Sequence, residues 1–157
     1  MSEFVLVAMG GTFDIVHKGH IVLLSKAFSI SSKVIIGLTS DELAQKRGKK
    51  TLNNYHKRNE TLISTIKTNF PNHSFQITKL DDDFGPAVLE ENIDALIVSD
   101  ETENQGKILN QLRKEKNLSP VKIVLVQMVL AQDGDRISTT RIKNSEIDVE
   151  GNLPSID

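Results

Sequence analysis

The sequence predicts a doubly wound α/β fold: a parallel five-stranded sheet with helices on both faces, in a single domain. Three observations lead there. Short β-rich apolar runs alternate with helical patterns from end to end. Runs such as Val34-Ile35-Ile36 and Ile123-Val124-Leu125-Val126 lack polar alternation, as expected of strands covered on both faces. Each polar cluster of interest follows the end of such a run. At 157 residues the chain is most simply one domain, residues 1–157, able to bury about two thirds of its unfolded surface.

Taken in order, residues 4–9 are an apolar first strand, and residues 18–29 follow as a helix with Leu23, Leu24, Ala27 and Phe28 on one stripe. Residues 33–38 read as the second strand. Residues 55–70 form a helix with Leu62, Ile63 and Ile66 on its apolar face, and residues 74–80 and 95–99 are strands three and four. Ile108, Leu109 and Leu112 mark a further helix, stopped ahead of Leu118-Ser119-Pro120. Residues 121–126 are strand five, and residues 148–157 are expected to form a loosely held tail. In such sheets ligands bind beyond the carboxyl ends of the strands. Residues 10–20, 39–50, 81–87 and 99–106 all fall there.

Composition narrows the function. The formal charge is −2, so there is no broad basic surface for nucleic acid, and the expected partners are small molecules. The absence of cysteine excludes disulfides, thiolate nucleophiles and sulfur-ligated zinc. The N-terminal apolar run is too short for a signal peptide or a membrane span, so the chain is read as cytoplasmic, with no membrane partner. The pattern leaves the oligomeric state open, a monomer included.

The most informative stretch is Gly10-Gly11-Thr12-Phe13-Asp14-Ile15-Val16-His17-Lys18-Gly19-His20. A glycine pair after a strand lets the backbone turn sharply and approach a nucleotide. Amides at a helix start lack intrahelical partners and sit at the positive end of the macrodipole, so they attract phosphate. His17 and His20, three apart, share one side of the first turn and can grip one ligand. Gly19 removes a side chain that would block the base. A second cluster, Ser138-Thr139-Thr140-Arg141 followed by Lys143, joins an N-cap serine, short hydroxyls and two cations in a phosphate nest.

Residues 10–20 resemble the G-T-F-D-x-x-H-x-G-H signature of the nucleotidylyltransferase superfamily, and residues 137–143 resemble its I-S-S/T-S/T-x-I-R/K segment. Gly37-Leu38-Thr39-Ser40-Asp41-Glu42, the stretch from Leu80 to Ala87, and Val98-Ser99-Asp100-Glu101-Thr102 are similar to the phosphopantetheine adenylyltransferase family of archaeal and eukaryotic type. The resemblance runs over nearly the whole chain. It implies a Rossmann-like transferase that joins the adenylyl group of ATP to 4′-phosphopantetheine, giving dephospho-coenzyme A and pyrophosphate in coenzyme A biosynthesis. The acceptor phosphate would attack in line, with no covalent intermediate and with Mg2+ carried by ATP. The implied catalytic residues are His17 and His20. The implied ATP site adds Gly10, Gly11, Thr12, Phe13, Ser138, Thr139, Thr140 and Arg141, with Thr12 on the acceptor phosphate and Arg141 among the groups holding pyrophosphate. The family also places a phosphate-contacting lysine in the basic loop, where Lys46 is the first choice over Arg47, Lys49 and Lys50. An FMN adenylyltransferase, a cytidylyltransferase for an alcohol phosphate and a non-catalytic nucleotide sensor are the alternatives.

The remaining polar residues receive plainer readings. Asp81, Asp82 and Asp83 are taken as a solvated loop rather than a metal site, His56 and His73 as surface residues, and Met128 as core. Arg58 opens a helix, and the sequence does not decide whether it supports that helix or reaches toward the site.

Overall fold

The computed structural model describes residues 3–82, 92–99, 102–127, 129–135 and 137–154. Residues 83–87, Asp100, Glu101, Met128 and the last three residues of the expected tail lie outside them. The elements are β1 (Phe4–Gly11), α1 (Lys18–Ile30), β2 (Ser31–Thr39), α2 (Asp41–Lys46), α3 (Tyr55–Asn69), β3 (Ser74–Leu80), β4 (Ala95–Ser99), α4 (Glu103–Glu115), β5 (Lys122–Val126) and α5 (Thr139–Lys143).

The five strands form one parallel sheet in the order β3-β2-β1-β4-β5. Side chains alternate across β1, so Val7 and Met9 meet Leu24, Ala27 and Phe28 of α1 and Leu62 and Ile66 of α3 on one face. Leu6 and Ala8 meet Leu109 of α4 on the other. The chain therefore winds outward from β1 in both directions. The reversal point lies at the carboxyl ends of β1 and β4, where a crevice opens between diverging connections. The outer strands depart from the expected cover on both faces: β5 is an edge, and Leu125 there is exposed.

The helix after β4 also differs from the expected pattern. Its buried stripe is Gly106, Leu109 and Arg113, while Ile108 is exposed. Proline does not end it. The helix stops five residues before Pro120 in a C-terminal cap where Asn117 takes φ 59°, Leu118 N–H donates to the Arg113 carbonyl and Asn117 N–H to that of Lys114. The same device closes α5 at Ser145 and α2 at Gly48, whose φ is 75°. Part of the expected tail is held as well: Lys18 N–H donates to the Val149 carbonyl, Gln132 N–H to that of Gly151, and Ile147 is buried against Ala131 and Ile137. Among the described residues no helix is long and apolar enough to cross a membrane.

Gly48 matters for function because the cap reverses the chain after α2 and sends Lys49 back toward the end of β1. Gly48→Ala is expected to cost about 1 kcal/mol, the left-handed penalty for a residue with a Cβ, since nothing lies within 4 Å of the added atom to clash or to compensate. Chemical denaturation midpoints of the two proteins measure it; equal stabilities would contradict it.

Candidate active site

A cavity of about 510 Å³ opens at the reversal point. Gly10 and Gly11 of β1, Ser99 of β4 and Val126 of β5 form its floor. The loop after β1, the loop after α2 and the start of α5 form its walls. Of the sequence-predicted residues, Gly10, Gly11, Thr12, Phe13, His17, His20, Ser138, Thr139 and Thr140 line this one space.

The two histidines cap their own helix. His17 is the N-cap of α1 and its Nδ1 accepts from Gly19 N–H at 3.0 Å, while His20 Nδ1 accepts from His17 N–H at 3.2 Å. A neutral imidazole that accepts on Nδ1 carries its proton on Nε2, so both rings are assigned the same tautomer. The rings stack with centroids 3.8 Å apart, and Phe13 packs on His20 at 4.7 Å. Burial, and then the neighbouring His17, push the His20 imidazole down to about 3, so it is neutral at physiological pH.

This geometry corrects one expectation and adds a second reason for a glycine. The helix start is not a set of free amides: Lys18 N–H is taken by Val149, Gly19 N–H by the His17 ring, and His20 N–H by the His17 carbonyl at 2.9 Å. What that turn presents to an anion is imidazole rather than backbone. Gly19 is required by His17 in any case, because a Cβ there would lie 2.9 Å from the ring's Cε1. A Cβ at Gly11 would likewise lie 2.8 Å from the ring of Phe13, which itself adopts φ 50°.

Polar side chains on distant segments fix the loops. Arg58, 1% exposed, donates to the carbonyls of Asn53, Thr12 and Thr39 and to the Asp41 carboxylate, at 3.1, 2.9, 2.7 and 2.8 Å. It thus ties the start of α3 to the ends of both central strands, supporting its helix and the site together. Asp14, 7% exposed, accepts from Leu52 N–H at 2.8 Å, Asn53 N–H at 3.0 Å and Lys143 Nζ at 2.7 Å. Burial opposes the Asp14 charge, but Lys143 and the two amides outweigh it and the carboxyl lies below its ordinary value.

Two assignments of cations change. Lys46 sits on the last turn of α2 and does not line the cavity; Lys49, turned back by Gly48, does, and its Nζ donates to Thr12 Oγ1 at 3.3 Å. Burial, and then the nearby Arg47, hold the Lys49 ammonium below the usual lysine value. Arg141 does not line the cavity either. It pairs with Asp133 and Glu146, while Lys143 lines the wall. Ser138 caps α5 by accepting from Arg141 N–H at 3.2 Å, and Thr139 Oγ1 lies 3.5 Å from the Ile15 carbonyl. A smaller cavity of about 150 Å³ adjoins Gly10 to Thr12 and is lined further by Met9, Leu80, Leu96 and Gln105. Asp81 and Asp82 are exposed, as are His56 and His73.

Residues 8–145 match the family described as cytidylyltransferase-like. The chain is 47% identical over 150 residues to the phosphopantetheine adenylyltransferase of Methanosarcina barkeri, covering 94% of this chain and 91% of that protein. The chain belongs to the phosphopantetheine adenylyltransferase branch of the cytidylyltransferase-like family. The phosphopantetheine adenylyltransferase of Methanosarcina acetivorans is 43% identical, with 94% of each chain covered. A solved structure of a protein of unknown function from Archaeoglobus fulgidus superposes with a TM-score of 0.72 at 27% identity, covering 85% of this chain and all of that one.

Family membership also explains the cations. In I-S-S/T-S/T-x-I-R/K, Arg141 occupies the variable position and Lys143 the basic one. Thr139 and Lys143, four apart, share a helix face that Arg141 does not. That spacing was the available signal for Lys143. Ser99 and Thr102, bonded to each other through Ser99 N–H and Thr102 Oγ1 at 2.9 Å, also line the cavity and were visible only as part of the family segment.

The cap has a pH signature. Unfolded, His20 titrates near the ordinary 6.5; folded, it resists protonation until about 3. The unfolded chain therefore binds the extra proton between these values. The stability this group confers is full above 6.5 and falls as the pH drops toward 3. Between pH 7 and 5 the loss should be on the order of 1 to 2 kcal/mol in the wild type and absent from His20→Gln. Parallel unfolding curves at the two pH values measure it, and identical losses in both proteins would contradict the buried neutral ring.

Proposed function

We propose that the protein transfers the adenylyl group of ATP to 4′-phosphopantetheine, releasing pyrophosphate and forming dephospho-coenzyme A. One observation carries the reading: Thr12 and Lys49, the hydroxyl side chains of Ser138, Thr139 and Thr140, and the His17–His20 pair all line a single cavity. Transfer between two anions needs that arrangement. The acceptor phosphate is already a nucleophile and requires no base, so the protein's task is to align two repelling groups and meet charge as it develops.

In this mechanism Lys49 and Thr12 hold the acceptor phosphate. The apolar side cavity lined by Met9, Leu80 and Leu96 takes its pantetheine arm. The acceptor oxygen attacks the α-phosphorus in line and the bond to the β-phosphate oxygen breaks. The Nε2–H of His20 donates to the α-phosphoryl oxygen as charge accumulates, His17 steadies the ATP phosphates, and the α5 hydroxyls receive the departing pyrophosphate. Among the described residues no three carboxylate or imidazole side chains gather to hold a metal by themselves. The lysine and hydroxyl set suits triphosphate oxygens that bring their own Mg2+, which would supply positive charge to the leaving group. The relatives' names favour a pantetheine phosphate over FMN or an alcohol phosphate as acceptor.

A pyrophosphate-release assay with ATP or CTP against 4′-phosphopantetheine, FMN and glycerol 3-phosphate tests the reading. Turnover is expected for ATP with 4′-phosphopantetheine, and preference for any other pair would overturn it. His20→Ala should lower kcat by roughly a hundredfold or more, the scale for losing one preorganised donor; an unchanged kcat would remove His20 from the chemistry. Lys49→Met should weaken the acceptor's apparent affinity well beyond any effect of Lys46→Met. The reverse ranking in KM would restore Lys46 as the contact.

A further inference from the structure

A carboxylate is the least welcome neighbour for two phosphates, yet Asp14 lies in the wall of the cavity. Its environment explains how this is tolerated. The Asp14 side chain is only 4% exposed, and its oxygens are taken by Lys143 Nζ and by the amides of Leu52 and Asn53. Asn53 Nδ2 closes the ring of contacts by donating to the Asp14 carbonyl at 3.0 Å. The Lys143 ammonium also donates to the Lys50 carbonyl at 2.8 Å.

These bonds join three segments that are remote in sequence. Asp14 belongs to the loop after β1, Lys50 to Asn53 belong to the loop that carries Lys49, and Lys143 ends the helix that carries Thr139 and Thr140. Each segment contributes a different part of the cavity wall. The contacts that link them include an ion pair buried on its Asp14 side, with its backbone partners, beside the Lys49–Thr12 and Thr139–Ile15 contacts.

We infer that Asp14 and Lys143 form a positioning pair that holds the Lys49 loop and the α5 hydroxyls at a fixed separation across the site. The inference rests on the proposed adenylyl transfer and adds how the acceptor and donor walls are kept in line. Neither residue acts on the reacting atoms. Asp14 cannot meet a phosphate without repulsion, and the Lys143 charge is met by Asp14. Their effect passes through Lys49 and Ser138 to Thr140. Because each wall stays intact when the pair is broken, each substrate should still bind its own wall, and the loss should fall on alignment.

The test is a double-mutant cycle with Asp14→Asn, Lys143→Met and the double variant, together with Lys143→Arg. For each, kcat and both KM values are measured per folded molecule, with the folded fraction taken from circular dichroism. Each single change is expected to lower kcat by about a hundredfold, the scale of a misplacement on the order of 1 Å, with KM values moving much less. The double variant should be no worse than either single one, because the two act as a unit, and Lys143→Arg should restore most of the rate. Additive losses would overturn the inference. So would wild-type kcat in Asp14→Asn beside a high ATP KM in Lys143→Met, the pattern of a lysine that touches phosphate alone. A purely structural pair would lower the melting temperature and leave kcat per folded molecule unchanged, which also overturns it. Should Asp14→Asn not fold, the Lys143 variants decide: kcat lost in Lys143→Met and recovered in Lys143→Arg supports the pair, and a change confined to ATP KM overturns it. Absence of wild-type turnover with ATP and 4′-phosphopantetheine would count against the proposed reaction instead, and the cycle is then read on the acceptor the wild type does use.

Discussion

The site is organised by the reciprocal cap that His17 and His20 place on α1. Each ring spends its Nδ1 on a backbone amide of the same turn. An N-terminal cap is worth about 1 kcal/mol, a modest sum, but here the cap also decides chemistry. It sets both tautomers, stacks the rings and leaves Nε2–H as the donor of each. Phe13, forced to positive φ between Gly11 and Asp14, supplies the ring that backs His20. The glycines of the motif follow from the same packing: Gly11 leaves room for the Phe13 ring and Gly19 for His17.

Around that cap, each buried charge meets backbone groups as well as an opposite charge. Arg58 sends three of its four hydrogen bonds to carbonyls, and Asp14 takes two amides besides its ion pair. Taking a charge out of water costs several kcal/mol unless its hydrogen-bonding capacity is met, so each of these side chains is committed to one arrangement. The return is that irregular loops gain fixed hydrogen-bond partners of their own. Loops on a parallel sheet have no ladder to fix them, and a site made entirely of loop ends needs such posts.

Much of this was legible beforehand, and the reasons for the rest are physical. The bounds of β3 and β4 are those expected, because apolar runs bounded by turn residues report strands directly. The glycine and histidine motif located the cavity because its spacing is local. The choice within the basic loop was not legible for a non-local reason: which lysines line the cavity depends on a left-handed cap at Gly48, and the reversal leaves the lysine nearest the helix end outside it while Lys49 and Lys50 line it. Arg141 and Lys143 were distinguishable by helical spacing, two positions apart being opposite faces. The buried stripe of α4 was not legible because its third member is an arginine, whose Nε bonds to the Ser119 carbonyl at 2.7 Å, and a charged residue is not counted when apolar periodicity is sought. Nothing in the sequence paired Asp14 with Lys143 across 129 positions.

The neutrality of His20 bears on why two histidines serve where two more lysines would seem stronger. A cation holds a phosphate as tightly before reaction as during it, and uniform binding of that kind raises affinity without raising turnover. A neutral N–H donor bonds only moderately to the ground-state α-phosphoryl oxygen, and more strongly as charge builds there, so its contribution is weighted toward the transition state. Fixed charge is instead kept to one side, where Lys49 stands by Thr12, while the α5 segment offers hydroxyls and its Lys143 is met by Asp14. His20 adds no net charge to the centre, since burial and the adjacent ring both oppose its protonation. A cation beside the acceptor and neutral donors over the rest of the cavity suit a reaction in which negative charge moves from acceptor to leaving group through a centre that must bind neither too tightly.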